Sequence, residues 1–241
     1  MEYFKRQIPA RRDSGSEDLF SHLCRATYED GSFLTAQDVA DHMNFFIMAA
    51  YDTVTSSLTT LVYRLAANPQ WQEAVRDELR GQGAKLGEQL SYKKLESLPL
   101  TEMAFKEAMR MVPPVPSIPR RAVRDFEFKG IKIPAQTLIS INPLYTHYMH
   151  DIWPEPERYD PMRFSEETTR GRHRYAYIPF SGGAHMCLGL NFAYMQAKCF
   201  AWHFLSSVRV SIDDGYRPKW NMWPIPSPRD GLRATLSPIT N

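Results

Sequence analysis

One segment holds the residues best suited to chemistry: Phe180-Ser181-Gly182-Gly183-Ala184-His185-Met186-Cys187-Leu188-Gly189. Its paired glycines permit a tight turn and a close approach of the backbone to a flat object. Cys187 then sits where the chain enters a helix expected to begin near Leu188. A thiol at a helix N-terminus faces the positive end of the dipole, which favours thiolate, and a thiolate is a nucleophile or a metal ligand. A nucleophilic cysteine needs a base in reach. His185, two residues away in the same loop, is too constrained to serve. A zinc site needs further Cys or His ligands, and neither Cys24 nor Cys199 forms a CxxC pair with Cys187. One thiolate on an iron held by a macrocycle remains, against the plainer alternative of a small buried hydrophobe.

Two further pairs stand out. Glu107 and Arg110 are three apart, so they share one face of a helix. On a surface such an ion pair contributes little. Asp52-Thr53 follows the apolar run from Phe45 to Tyr51. An acid there is costly unless it is hydrated or paired. Its two readings are a capping or solvent-facing residue and an acid–alcohol pair that passes protons.

These segments together resemble the cytochrome P-450 superfamily of heme-thiolate monooxygenases. Phe180 to Gly189 is similar to its Phe-x-x-Gly-x-x-x-Cys-x-Gly heme loop, with Phe180, Gly183, Cys187 and Gly189 at the motif positions. Glu107-Ala108-Met109-Arg110 matches its Glu-x-x-Arg helix, and Pro161-Met162-Arg163-Phe164 its Pro-x-Arg-Phe meander. Ala49-Ala50-Tyr51-Asp52-Thr53 matches the oxygen-activating centre of its long helix. Four motifs in the family's order are a strong signal, and the likeness is greatest to soluble bacterial members. In that family the long helix lies near the middle of the chain. Here it begins near residue 35, so the chain resembles the C-terminal, heme-binding half.

The resemblance implies a cofactor, heme b (iron protoporphyrin IX), with Cys187 as axial iron ligand. It implies that Asp52 and Thr53 activate oxygen, Thr53 by bonding the bound oxygen and Asp52 by linking to solvent. Ala49 and Ala50 border the groove, with Ala50 where the family usually has Gly. Arg120 fits the arginine that anchors heme propionates, with Arg121 as alternate should the register slip by one. His185 takes the place of a second, usual Arg, and offers no bidentate fork. Glu107, Arg110 and Arg163 form a buried triad that braces the loop. Substrate-lining positions are Phe45, Phe46 and Ala49, the stretch 115–118, and the turn 223–225. They are mostly apolar, which suits a small lipophilic substrate. Dioxygen is the second substrate. No flavin or iron–sulfur motif occurs, so electrons come from an external donor such as a ferredoxin or flavodoxin system. Two readings stay open: a monooxygenase, or its heme-binding half, and a truncated, non-catalytic remnant that binds heme poorly.

The elements that position these residues are legible in outline as mainly α with small antiparallel β-sheets, in one partial domain over residues 1–241. Residues 1–34 read as a terminal helix and a polar loop. Thr35 to Asp38 reads as a weak capping box opening a helix over about 35–67, uninterrupted by Pro or Gly. Asn68-Pro69 starts another helix, to about Arg80. A short helix over 91–97 and a firmer one over about 101–111 follow. Phe126 to Pro134 reads as two strands around a Lys129-Gly130 turn, with a third strand over 137–141. Residues 151–180 form a long ordered loop, 190–206 a buried helix, and 208–238 a small C-terminal sheet.

Composition limits the alternatives. With 29 Lys+Arg against 27 Asp+Glu in 241 residues the net charge is +2, which argues against a nucleic-acid partner. Hydrophobic content of 43% excludes a disordered chain. Eighteen prolines point to much ordered irregular backbone. Three cysteines, an odd number without CxxC spacing, suit a reducing compartment. The run from Phe45 to Tyr51 falls far short of the roughly 20 residues of a membrane helix, and the first residues lack a signal peptide's apolar region. The expectation is a cytoplasmic protein without a membrane span.

Overall fold

A computed structural model describes residues 2–239. Its elements fall into two compact units that divide between Asp52 and Thr53, inside one continuous helix.

The first unit begins with two helices, α1 (Glu2–Arg12) and α2 (Leu19–Arg25), where a helix and a loop were expected. Asp18 makes the difference: its carboxylate accepts the Ser21 N–H at 3.0 Å and so caps α2. Ile8, Phe20, Cys24 and Val39 form the core of this unit. Arg12 ties its segments together by donating to the Cys24 and Leu34 carbonyls, each at 2.8 Å. Helix α3 (Ala36–Ala67) starts as the sequence suggests. The Thr35 hydroxyl accepts the Asp38 N–H at 3.1 Å. Only half of the capping box is made, because the Thr35 N–H turns to the Tyr28 hydroxyl. By length and composition alone α3 is apolar enough to cross a bilayer, with an 18-residue window of mean hydropathy 1.2, a property that the core helices of soluble proteins share. The C-terminal part of α3 buries Leu61 and Leu65 in the core of the second unit.

In that second unit, α4 (Pro69–Gly81) has Pro69 in its first turn, where the missing N–H costs least. The segment 91–97 tightens to a 3₁₀ turn. Helix α5 (Pro99–Met111) has no cap from its own Leu98. Instead Glu78 of α4 accepts the Leu100 and Thr101 N–H groups at 2.6 and 2.8 Å. Strands β1 (Ile118–Arg121), β2 (Phe126–Phe128), β3 (Ile131–Ile133) and β4 (Leu138–Ile141) follow. Lys129 and Gly130 both have positive φ, 50° and 79°, the backbone of a two-residue hairpin turn between β2 and β3. The third strand of the expected group does not join that hairpin. It pairs with β1 in the register Ile118↔Ile141 to Arg121↔Leu138.

The chain then passes through short helices α6 (Pro143–Thr146) and α7 (Glu166–Thr169) and 3₁₀ turns at Pro161–Phe164 and Gly183–His185, and enters α8 (Leu190–Ser207). Helix α8 is buried only on the stripe Ala197, Lys198, Ala201, Trp202 and Leu205; its first turn is largely exposed, contrary to the expectation of burial all round. The C-terminal sheet is two separate ladders, β5 (Val208–Ser211) with β8 (Thr235–Pro238), and β6 (Trp220–Asn221) with β7 (Ser227–Pro228). The core of this unit gathers Leu61, Val75, Leu79, Phe105, Met109 and Trp202, from α3, α4, α5 and α8.

Candidate functional site

The loop before α8 is built by two left-handed residues and closed by one main-chain bond. Ser181 and Gly183 have φ of 63° and 67°. They fold the chain into the 3₁₀ turn Gly183–His185, after which the Cys187 N–H donates to the Phe180 carbonyl at 3.0 Å. Phe180 packs against the core and meets Tyr194 of α8 edge-on, with ring centroids 5.4 Å apart. Gly189 is the N-cap of α8. A Cβ on Gly189 would lie 3.8 Å from the Cys187 sulfur, so the sulfur sits over the start of the helix. A helix start carries unpaired N–H groups and the positive dipole end. Cys187 is an exposed free thiol.

Beneath the loop, Glu107 and Arg110 are fully buried on α5. Arg110 grips both carboxylate oxygens, at 2.7 and 2.9 Å, and donates its other N–H groups to the His147 and Pro156 carbonyls at 2.8 and 2.6 Å. Glu107 also accepts the Asp160 N–H at 3.1 Å, and Arg163 Nε lies 3.3 Å from it. Burial pushes the Glu107 carboxyl above its ordinary value, opposed by the hydrogen bonds and charge of Arg110. The three residues thus meet as the motifs imply. Asp160 holds Arg163 in place by capping the 3₁₀ turn at Pro161–Phe164.

Arg120 reaches the loop from β1. Its guanidinium donates to the Ser181 hydroxyl at 3.2 Å and to the Pro119 carbonyl at 2.9 Å. Arg121 points to the other face and bonds the Gln136 carbonyl at 3.2 Å, so Arg120 rather than its alternate faces the loop. His185 ends the 3₁₀ turn exposed. On α3, Ala49, Ala50 and Asp52 are exposed and Thr53 is half-buried. Exposure of Asp52 removes the cost of an acid beside apolar residues, since water solvates it. Successive residues of a helix point about 100° apart, so Asp52 and Thr53 diverge. Farther along, Ser56 donates to the Pro226 carbonyl at 2.6 Å and fixes the 223–226 turn against α3.

Two residues that the sequence did not single out shape this site. Glu78 caps α5, as described above. His147 is fully buried: Nδ1 lies 3.0 Å from the Arg110 carbonyl, and Nε2 accepts the Ile178 N–H at 3.0 Å. Burial, helped by the Arg110 charge, lowers its pKa from 6.5 to about 3. Both side chains serve main-chain groups, and no residue spacing signals that.

Among the described residues no group of three or more His, Cys, Asp or Glu is placed to hold a metal ion. A single thiol is what the loop offers. Around it, Leu188 and Phe192 leave 86% and 53% of their surfaces exposed. One soft ligand, an apolar platform and the nearby Arg120 fit an iron macrocycle that carries carboxylates.

Known proteins point the same way. A sequence model described as Cytochrome P450 matches residues 2–229. A Mycobacterium tuberculosis protein provisionally named cytochrome P450 136 is 36% identical over 240 residues, 98% of this chain and 48% of the relative. Taxane 10-beta-hydroxylase of Taxus cuspidata is 33% identical over 239 residues, 97% of this chain and 48% of the relative. The solved structure of retinoic acid-bound cyanobacterial CYP120A1 matches with a TM-score of 0.90 at 28% identity, covering 99% of this chain and 55% of that one. The chain spans about half the length of the curated relatives it matches. Since the family match leaves little of the sequence outside it, this chain belongs to the cytochrome P450 family.

Proposed function

We propose that the chain is the heme-binding part of a monooxygenase that inserts one atom of dioxygen into a lipophilic organic substrate, and that residues 1–241 act as one partial domain. The observation that carries this reading is an exposed Cys187 with its sulfur near the head of α8, in a loop that rests on the buried, doubly hydrogen-bonded Glu107–Arg110 pair. Heme b, when bound, supplies the activation of dioxygen. The chain's own residues do the rest. Cys187 would supply the sulfur ligand to the iron. Phe180, Gly183 and Gly189 shape the loop around it. Arg120 would hold a heme carboxylate through a charge-assisted bond, and His185 could add a single donor. Asp52, exposed on α3, would link the site to solvent and Thr53 would pass protons inward, with Ala49 and Ala50 beside them on the helix.

A lipophilic substrate accords with relatives and neighbours whose names cite a taxane and retinoic acid. Electrons come from a separate ferredoxin- or flavodoxin-type donor, and the working compartment is the cytoplasm. A specific observation favours the rival reading of a poorly heme-binding remnant: Phe45, Ile47, Met48 and Tyr51 are all exposed on α3. One experiment separates the two readings. The purified, heme-supplemented chain, reduced under carbon monoxide, is expected to show the red-shifted Soret band of thiolate ligation, and Cys187→Ala is expected to lose it. Absence of heme uptake would leave the remnant reading.

A further inference from the structure

We propose that His147 is a positioning residue for the thiolate loop: its imidazole, held as the Nδ1–H tautomer, bridges the end of α5 to Ile178 and so sets where the loop carrying Cys187 begins. This rests on the heme-thiolate reading above.

The partners dictate the tautomer. A carbonyl oxygen only accepts, so the 3.0 Å contact with the Arg110 carbonyl requires the proton on Nδ1. A main-chain N–H only donates, so the 3.0 Å contact with Ile178 requires a lone pair on Nε2. The main chain is tied as well, because the His147 carbonyl accepts from Arg110 at 2.8 Å. Residues 110 and 147 thus clasp each other reciprocally, the side chain of each on the backbone of the other. The ring lies on Tyr177, with centroids 5.4 Å apart and planes at 23°, and meets Trp153 edge-on.

A short relay follows from this clasp. Ile178 is two residues before Phe180, whose carbonyl accepts the Cys187 N–H. Three hydrogen bonds therefore connect the Glu-x-x-Arg helix to the amide of the ligand residue: Arg110 to His147, His147 to Ile178, and Phe180 to Cys187. Burial keeps the imidazole neutral, and protonation would aim a donor at the Ile178 donor. The charged group that acts on the ring is Arg110 of α5; Tyr177 stacks on it from the loop side and Trp153 meets it edge-on.

The first test uses the unaltered chain. The nitrogen-15 shifts of His147 at neutral pH are expected to show a protonated Nδ1 and a bare Nε2, and the opposite tautomer would overturn the proposal. The second compares amide exchange in His147→Phe, which keeps the stacking and loses both bonds. Exchange at Ile178 and Cys187 is expected to accelerate by about tenfold relative to α5, the effect of one lost hydrogen bond. His147→Gln, which has both a donor and an acceptor, should recover part of the protection. Equal acceleration in the loop and α5, or none in the loop, would mean that the ring is only core. If His147→Phe fails to fold, the tautomer and His147→Gln decide. In the heme-loaded protein, His147→Phe is expected to shrink the thiolate Soret band relative to total heme, and an unchanged share also refutes the role. A native chain that takes up no heme would count against the heme-thiolate reading, while the tautomer and exchange results still judge His147.

Discussion

Mild acid should weaken this chain more than its carboxylates require, and His147 is the reason. Its folded pKa is about 3 against 6.5 for an ordinary histidine. Between those values the unfolded chain binds one proton more than the folded one, so stability rises with pH across the window. The contribution is fully present above pH 6.5 and is lost as pH falls toward 3. At 1.36 kcal/mol per pH unit, acidification from pH 7 to pH 5 removes about 2 kcal/mol, and the whole window about 5 kcal/mol. Burial is the main cause, the Arg110 charge adds to it, and the hydrogen bond to the Arg110 carbonyl works against it. Glu107, raised by burial, titrates with the opposite sign, so a single acid titration of the native chain would mix the two. The assay is therefore urea unfolding, followed by tryptophan fluorescence, of the native chain and of His147→Phe at pH 7 and pH 5. The variant starts less stable at both, because the Arg110 carbonyl and the Ile178 N–H lose their partner. Its loss between the two pH values should nonetheless be smaller than the native loss by about 2 kcal/mol. Equal losses would refute the reasoning and place the titrating group elsewhere.

Two other substitutions probe how the helices under the loop are fastened. Arg76, only 1% exposed, donates to the Leu205 and Val208 carbonyls, each at 3.0 Å, and to Gln72, joining α4 to the junction of α8 and β5. Arg76→Ala strands those acceptors and should cost about 3–5 kcal/mol in chemical denaturation; a loss under about 1 kcal/mol would show that water replaces the guanidinium. Glu78→Ala removes the cap that α5 borrows from α4 and should cost about 1–2 kcal/mol, with Glu78→Gln recovering part of it. If the amide exchange of Leu100 and Thr101 stays unchanged in Glu78→Ala, those N–H groups have another acceptor.

The legible residues are those whose chemical type does the work. The proposed sulfur ligand requires a cysteine at 187, and a left-handed turn before it favours Gly183. The Glu107–Arg110 fork needs a carboxylate and a guanidinium three apart, and that spacing survives in one dimension. Helix α3 was equally plain because no Pro or Gly breaks it. Pairing over distance was not. The Lys129-Gly130 turn advertises its own hairpin, whereas β4 pairs with β1 across that hairpin and leaves no local mark. His147 and Glu78 escaped for a related reason: they bond chiefly to main-chain groups, which every residue carries, and only the Thr101 hydroxyl adds a side-chain partner to Glu78.

The same distinction bears on what the site can tolerate. Arg120 holds Ser181 through its hydroxyl, so a change at either residue alters a contact between side chains and leaves the main-chain closure from Cys187 to Phe180 intact. Losing the His147 bridge instead frees a main-chain N–H two residues before that closure. A buried donor without a partner costs about 1–3 kcal/mol and cannot be repaired by changing the identity of Ile178, because every residue but proline brings the same N–H. Proline at 178 would remove the donor, but it would also hold φ near −65° and restrict the residue before it. The loop's position is therefore most exposed to change at 147, a residue 40 positions away in sequence from the cysteine it helps to hold.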